Sequence, residues 1–149
     1  TIHLHQQAYV RSILDKAGMT TCKPASTPSN STVKLSKDMC PADQATKDEM
    51  LQYPYRQMVG SLLYLVSGTR PDIAFAVNQV CRYMNNPGKA HWEAVKHILR
   101  YLKGTLDLGI VYAKTGGGQG VSTSLPPLSM PTGLAICPTA DPILESSSL

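Results

Sequence analysis

Three helical patterns stand in a row between Pro54 and Gly104, with joins too short to let them drift apart. In PYRQMVGSLLYLVSG, Met58, Val59, Leu62, Leu63 and Val66 keep helical spacing, and Tyr55 and Leu65 widen the apolar face. Gly60 in its middle costs about 1 kcal/mol against alanine, so it predicts a close approach by another element. Next, TRPDIAFAVNQVCRYMNNPG puts Ile73, Val77, Val80, Cys81 and Met84 on one stripe. Thr69, Pro71 and Asp72 read as a helix start, with hydroxyl, N-terminal proline and early carboxylate, and Asn85-Asn86-Pro87-Gly88 as its stop. Last, KAHWEAVKHILRYLK repeats Trp92, Val95, Leu99 and Leu102 on one face, with Gly104 beyond its end. The spacing predicts helices over 54–67, 71–85 and 89–103. So closely joined, they pack as neighbours, the last two as an antiparallel hairpin around Ile73, Val77, Val80, Trp92, Val95 and Leu99.

The flanks carry weaker patterns. Val10, Ile13, Leu14 and Ala17 predict a fourth helix over 6–17, with Gly18 at the left-handed cap position. Ile2 and Leu4 alternate with His3 and His5, and Leu106, Leu108, Ile110 and Tyr112 alternate likewise, so short strands are expected near 2–5 and 106–112. A third strand or extended edge is expected near 33–35. TTCKPASTPSNST reads as an extended connector and SKDMCPADQATKDEM as a polar surface loop with one helical turn. From Thr115 onward, TGGGQG and a proline- and serine-rich stretch show neither period, so 115–149 reads as a flexible, irregular tail beside a folded unit at 1–114. The fold class is mainly α: about four helices, a few short strands and an irregular tail.

Charge divides at the same place. All fourteen Lys and Arg and eight of ten acids fall at or before Lys114, a net +6; the remainder holds Asp141 and Glu145, a net −2. A basic body suits a polyanionic partner and also ordinary solubility. No apolar run approaches the roughly 20 residues of a membrane span, and Thr1–Gln7 does not have the pattern of a signal peptide. An intracellular location is the resulting expectation, with Cys22, Cys40, Cys81 and Cys137 reduced.

The strings YRQMVGSLLYL and TRPDIAFAVNQVCRYMNNPGKAHWEAVKHILRYLKGT, preceded by KPASTP and a polar loop and followed by a short strand, stand in the same order as in copia-type retrotransposon Pol polyproteins. The chain resembles the closing part of their reverse transcriptase, from Thr1 to about Lys114. The resemblance implies a fragment of an α+β RNA-directed DNA polymerase lying beyond the catalytic palm, near the primer–template and leading into ribonuclease H. It implies Mg2+ in the parent enzyme, held by carboxylates on earlier palm strands that include a Tyr-x-Asp-Asp turn. That tetrapeptide does not occur here. The expectations are therefore a chain without a catalytic site or cofactor of its own, a first strand that has lost its sheet, and poor solubility from the exposed edge. The loss of charge, aromatics and periodicity near Gly116–Val121 suggests a frameshift or a mispredicted splice.

Four cations are the candidate nucleic-acid contacts: Lys89, Lys96, Arg100 and Lys103, with His97 close by. On one face of a helix they make a phosphate-contacting stripe for a primer–template duplex. They also make an ordinary solvated face, and the sequence leaves both readings open. Arg70-Pro71-Asp72 reads as helix-start chemistry with Arg70 bridging to a neighbour, and Trp92 as a core anchor. Asp48-Glu49 reads as a solvated loop pair. His3, His5, His91, Cys22 and Cys40 lack the spacing of a metal site.

Overall fold

The computed structural model describes residues 1–30 and 32–113, and the backbone of Ser122 and Thr123. Five α-helices dominate: α1 (Gln7–Lys16), α2 (Gln44–Leu51), α3 (Tyr55–Gly68), α4 (Ala74–Cys81) and α5 (Lys89–Gly104). Three short strands, β1 (Ile2–Leu4), β2 (Ile110–Ala113) and β3 (Ser122–Thr123), form an antiparallel sheet in that order. The mainly α expectation holds.

The periodic residues build the core. Val10, Ile13 and Leu14 from α1, Met58, Val59, Leu62 and Leu65 from α3, Val77 and Val80 from α4, and Val95, Ile98, Leu99 and Leu102 from α5 are all buried. Burying each such aliphatic side chain stabilises by about 1.5–3 kcal/mol, so this cluster is the main favourable term. Trp92 anchors one end, as expected, with ring centroids of Tyr53 and Tyr55 at 5.3 and 6.4 Å. The Tyr55 hydroxyl donates to the Val80 carbonyl at 2.7 Å, tying α3 to α4. Gly18 adopts φ +65° and closes α1: its N–H donates to Asp15 O and that of Met19 to Leu14 O, the paired bonds of a Schellman end.

Six expectations need correction. The polar segment after the connector holds a two-turn helix, α2, whose Met50 is buried in the core, so Asp48 and Glu49 sit on a helix rather than in a loop. No strand forms at 33–35; Val33 N–H closes a turn on Asn30 O, and the Leu35 carbonyl accepts from the Tyr83 hydroxyl. The helix expected over 71–85 begins as a 3-10 turn at Pro71–Ile73 and its α-helix ends at Cys81, where Arg56 captures Met84 O and Asn85 Oδ1. The strand expected over 106–112 is confined to β2, because a turn closes at Leu108 on Thr105. The first strand has not lost its sheet: β1 pairs with β2, Ile2 opposite Tyr112 and Leu4 opposite Ile110. Gly60 faces open space, so no element packs on it. Within the tail, Ser122 and Thr123 join the sheet beside Ala113 and Tyr112. The expectations for 114–121 and 124–149, the proposed frameshift included, lie outside the described residues.

Candidate nucleic-acid interface

An α-helix turns 100° per residue, so Lys89, Lys96, Arg100 and Lys103 fall within about 60° of one another on α5 and span ~21 Å of its axis. The structure makes this one face of one continuous helix. Lys89 is exposed, while Lys96, Arg100 and Lys103 are half-buried. The connector lies along α5 and bonds to Arg100 and Lys103. Arg100 Nε donates to Lys23 O at 2.8 Å, Lys103 Nζ to Cys22 O at 2.6 Å, and Ala25 N–H to Arg100 O at 3.1 Å. Lys96 pairs with Glu93 one turn earlier at 2.5 Å. The cationic face is therefore neither a bare solvated surface nor a set of four independent phosphate ligands. Two of its charges also hold the connector's first residues in place.

The polar segment after the connector meets the other end of α5. Gly88 N–H donates to His91 Nδ1 at 2.8 Å, the ring reaching back to cap the helix start, as a Glu or Gln does at the same position of a capping box. His91 Nε2 faces Ser36 O at 3.3 Å, which requires the proton on that nitrogen, and the ring stacks on Tyr83 at 4.0 Å. Burial lowers the His91 pKa below its ordinary value, opposed by the Ser36 carbonyl. The side chain is fully buried. Nothing in the spacing of His91 and His97 foretold this role; the signal available was a histidine three residues after a glycine at a helix start.

Arg70, expected to bridge to a neighbour, is enclosed at 1% exposure. Its guanidinium grips Asp72 through Nε and Nη2 at 2.9 and 2.8 Å, and reaches Thr105 O and Oγ1 at 2.8 and 2.6 Å. The Tyr101 hydroxyl donates to Asp72 at 3.0 Å. Burial and the adjacent Asp72 carboxylate raise the Tyr101 pKa. The helical turn does start where Thr69, Pro71 and Asp72 marked it, with Pro71 and Asp72 in its first turn, but no side chain caps it: Thr69 Oγ1 donates to Gln6 Oε1, and the Asp72 carboxylate accepts from Arg70. The cluster links the α3–α4 junction to the end of α5 and is structural.

The described carboxylates are not grouped as a two-metal centre would need. Asp48 and Glu49 are exposed on α2, with Gln44 donating to Asp48 at 2.9 Å. Among the described residues no group of three or more His, Cys, Asp or Glu side chains is placed to hold an ion. His3 and His5 are both exposed, and Cys22 and Cys40 are half-buried thiols. No helix among the described residues is long and apolar enough to cross a membrane.

Compared with known proteins, the chain is 52% identical over 102 residues, 68% of its length, to the retrovirus-related Pol polyprotein from transposon TNT 1-94 of Nicotiana tabacum. It is 43% identical over 115 residues, 76% of its length, to the corresponding polyprotein from transposon RE2 of Arabidopsis thaliana. An uncharacterized mitochondrial protein of Arabidopsis thaliana is 41% identical over 117 residues. The matched part spans 8% and 7% of the two polyproteins and 44% of the mitochondrial protein. No family model matches, and no solved structure matches.

Proposed function

The chain is homologous to a short segment of the retrovirus-related Pol polyproteins of copia-type transposons, and on that footing we propose that residues 1–113 serve as the primer–template-facing scaffold of a reverse transcriptase. In this reading α5 lies against the duplex backbone, and the catalytic carboxylates and their Mg2+ belong to other parts of the polyprotein. The observation that carries it is the alignment of Lys89, Lys96, Arg100 and Lys103 on one face of α5, with Glu93 as the acid paired into it. Phosphate contacts of this kind give affinity without sequence preference. The isolated chain is expected to extend no primer.

The test is a titration of labelled blunt primer–template duplex by fluorescence anisotropy at several salt concentrations. Each engaged phosphate contributes a slope of about −0.9 in log K against log salt, so four contacts predict a loss on the order of 100-fold between 50 and 200 mM. If Arg100 and Lys103 are fully occupied by the connector, two contacts remain and the loss falls to roughly tenfold. No binding at 50 mM salt would sink the reading. Primer extension by the chain alone, with Mg2+ and nucleotides supplied, would refute the scaffold part.

A further inference from the structure

A groove of about 760 Å³ opens between α4, α5 and residues 28–30 and 33–35. Its floor is made low by Ala76, Ala90 and Ala94, whose small side chains leave the trough between the two helices unfilled. Phe75, the chain's single phenylalanine, lines one wall while 57% exposed. Its neighbours Ala76 and Val77 turn into the core, so the helix presents this aromatic to the groove rather than burying it. Gln79 and His97 also line the groove, and His97 Nε2 is buried without a hydrogen-bond partner among the described residues. Buried polar atoms normally find a partner, so this nitrogen is one a ligand can satisfy.

Charge decides between classes of occupant. Lys34, Lys96 and Arg100 line the groove against Glu93, three cations to one acid. That balance favours a polyanion over an acid-poor apolar peptide. Size then excludes a duplex: about 760 Å³ is the volume of a small-molecule pocket, too small for paired strands but enough for a flat base. An aromatic face beside a cationic track is the arrangement by which proteins hold single strands, because every base offers a π-face to stack.

We propose that this groove takes the unpaired bases of a single-stranded nucleic-acid end, one base against Phe75 with its edge toward Gln79 and His97, and its phosphates toward Lys34, Lys96 and Arg100. The inference rests on the nucleic-acid reading of α5 and extends it from duplex backbone to an unpaired overhang.

The experiment compares a blunt duplex with the same duplex carrying a four-nucleotide single-stranded overhang, using the full chain and its Phe75→Ala, Phe75→Leu and Phe75→Trp variants. The overhang should tighten wild-type binding about tenfold, the scale of a stacked base. Phe75→Ala and Phe75→Leu should remove that gain and leave blunt-duplex affinity unchanged, and Phe75→Trp should keep it. Phe75 is exposed, and circular dichroism verifies that each variant is folded. An overhang that adds nothing while the blunt duplex still binds overturns this proposal and leaves the α5 reading intact. Loss of blunt-duplex binding alone overturns the α5 reading. A concentration-dependent dimer by light scattering, abolished by Phe75→Ala, would assign the groove to a second copy of the chain and overturn the proposal.

Discussion

Replacing Arg70 by methionine removes the guanidinium while keeping much of the side-chain volume, so the remaining cost is mostly electrostatic. The Asp72 side chain is 12% exposed and loses both bonds from Arg70, keeping the Tyr101 hydroxyl as donor. Thr105 loses two donors, at its carbonyl and its hydroxyl. Breaking a buried pair by deleting one partner costs about 3–5 kcal/mol, chiefly because the other charge is left uncompensated. Water reaching the residual 12% of Asp72 places this case near the lower end. A domain of this size holds roughly 5–15 kcal/mol in all, so the variant gives up a large share. At ~4 °C per kcal/mol, its midpoint falls by about 12 °C or more. Urea and thermal unfolding followed by circular dichroism measure this directly. A cycle with Asp72→Asn separates the pair from its surroundings, and a coupling of at least ~1.5 kcal/mol is expected. Arg70→Lys keeps the charge but not the fork, and should recover less than half of the loss. A cost below ~1 kcal/mol for Arg70→Met, or strict additivity in the cycle, refutes the argument that this cluster joins the α3–α4 junction to α5.

His91 gives a pH signature. Its folded pKa lies below the ordinary value, so below about pH 6.5 the unfolded chain binds more protons than the folded one. The stability His91 contributes is complete above that pH and is lost as pH falls through it, and denaturant melts from pH 7.5 to 5 should show the decline flattened in His91→Gln. Two glycines should respond with opposite signs. Gly60→Ala, on an open face of α3, should stabilise by about 0.5–1 kcal/mol. Gly88→Ala would drive its Cβ into the Met39 carbonyl oxygen and against His91 Nδ1, and should destabilise by at least ~1–3 kcal/mol. Equal effects from the two substitutions would contradict the packing described.

Periodicity made the helices at 7–16, 55–68 and 89–104 readable, because each buries one face and the buried residues recur every three or four positions. The segment holding α2 escaped because that helix buries only Met50, and one buried residue makes no period. Gly60 misled for a related reason: its cost is intrinsic to the backbone, and sequence cannot say whether a neighbour repays it. The basic face of α5 was legible as a stripe from the spacing of four cations. Its engagement was not, since the partners of Arg100 and Lys103 are main-chain carbonyls of Lys23 and Cys22, which any residue type supplies. Arg70 was singled out correctly as a bridging residue, but Thr105, thirty-five positions away, is brought to it only by tertiary packing.

The pairing of Ile2 with Tyr112 makes the helical body an excursion that leaves from one short ladder and comes back to it. Closing a loop of this length from an open chain costs on the order of (3/2)RT ln n, about 4 kcal/mol before its constant term. Three facing residue pairs at the edge of a small sheet do not meet that cost unaided. The ladder therefore forms late in folding, after the core helices have drawn its strands together, and is the first contact to open under mild denaturant. Amides of β1 should exchange with solvent well before those of α3 and α5. The same geometry brings Ile2 and Tyr112, the two ends of the excursion, to a single point at the base of the helices.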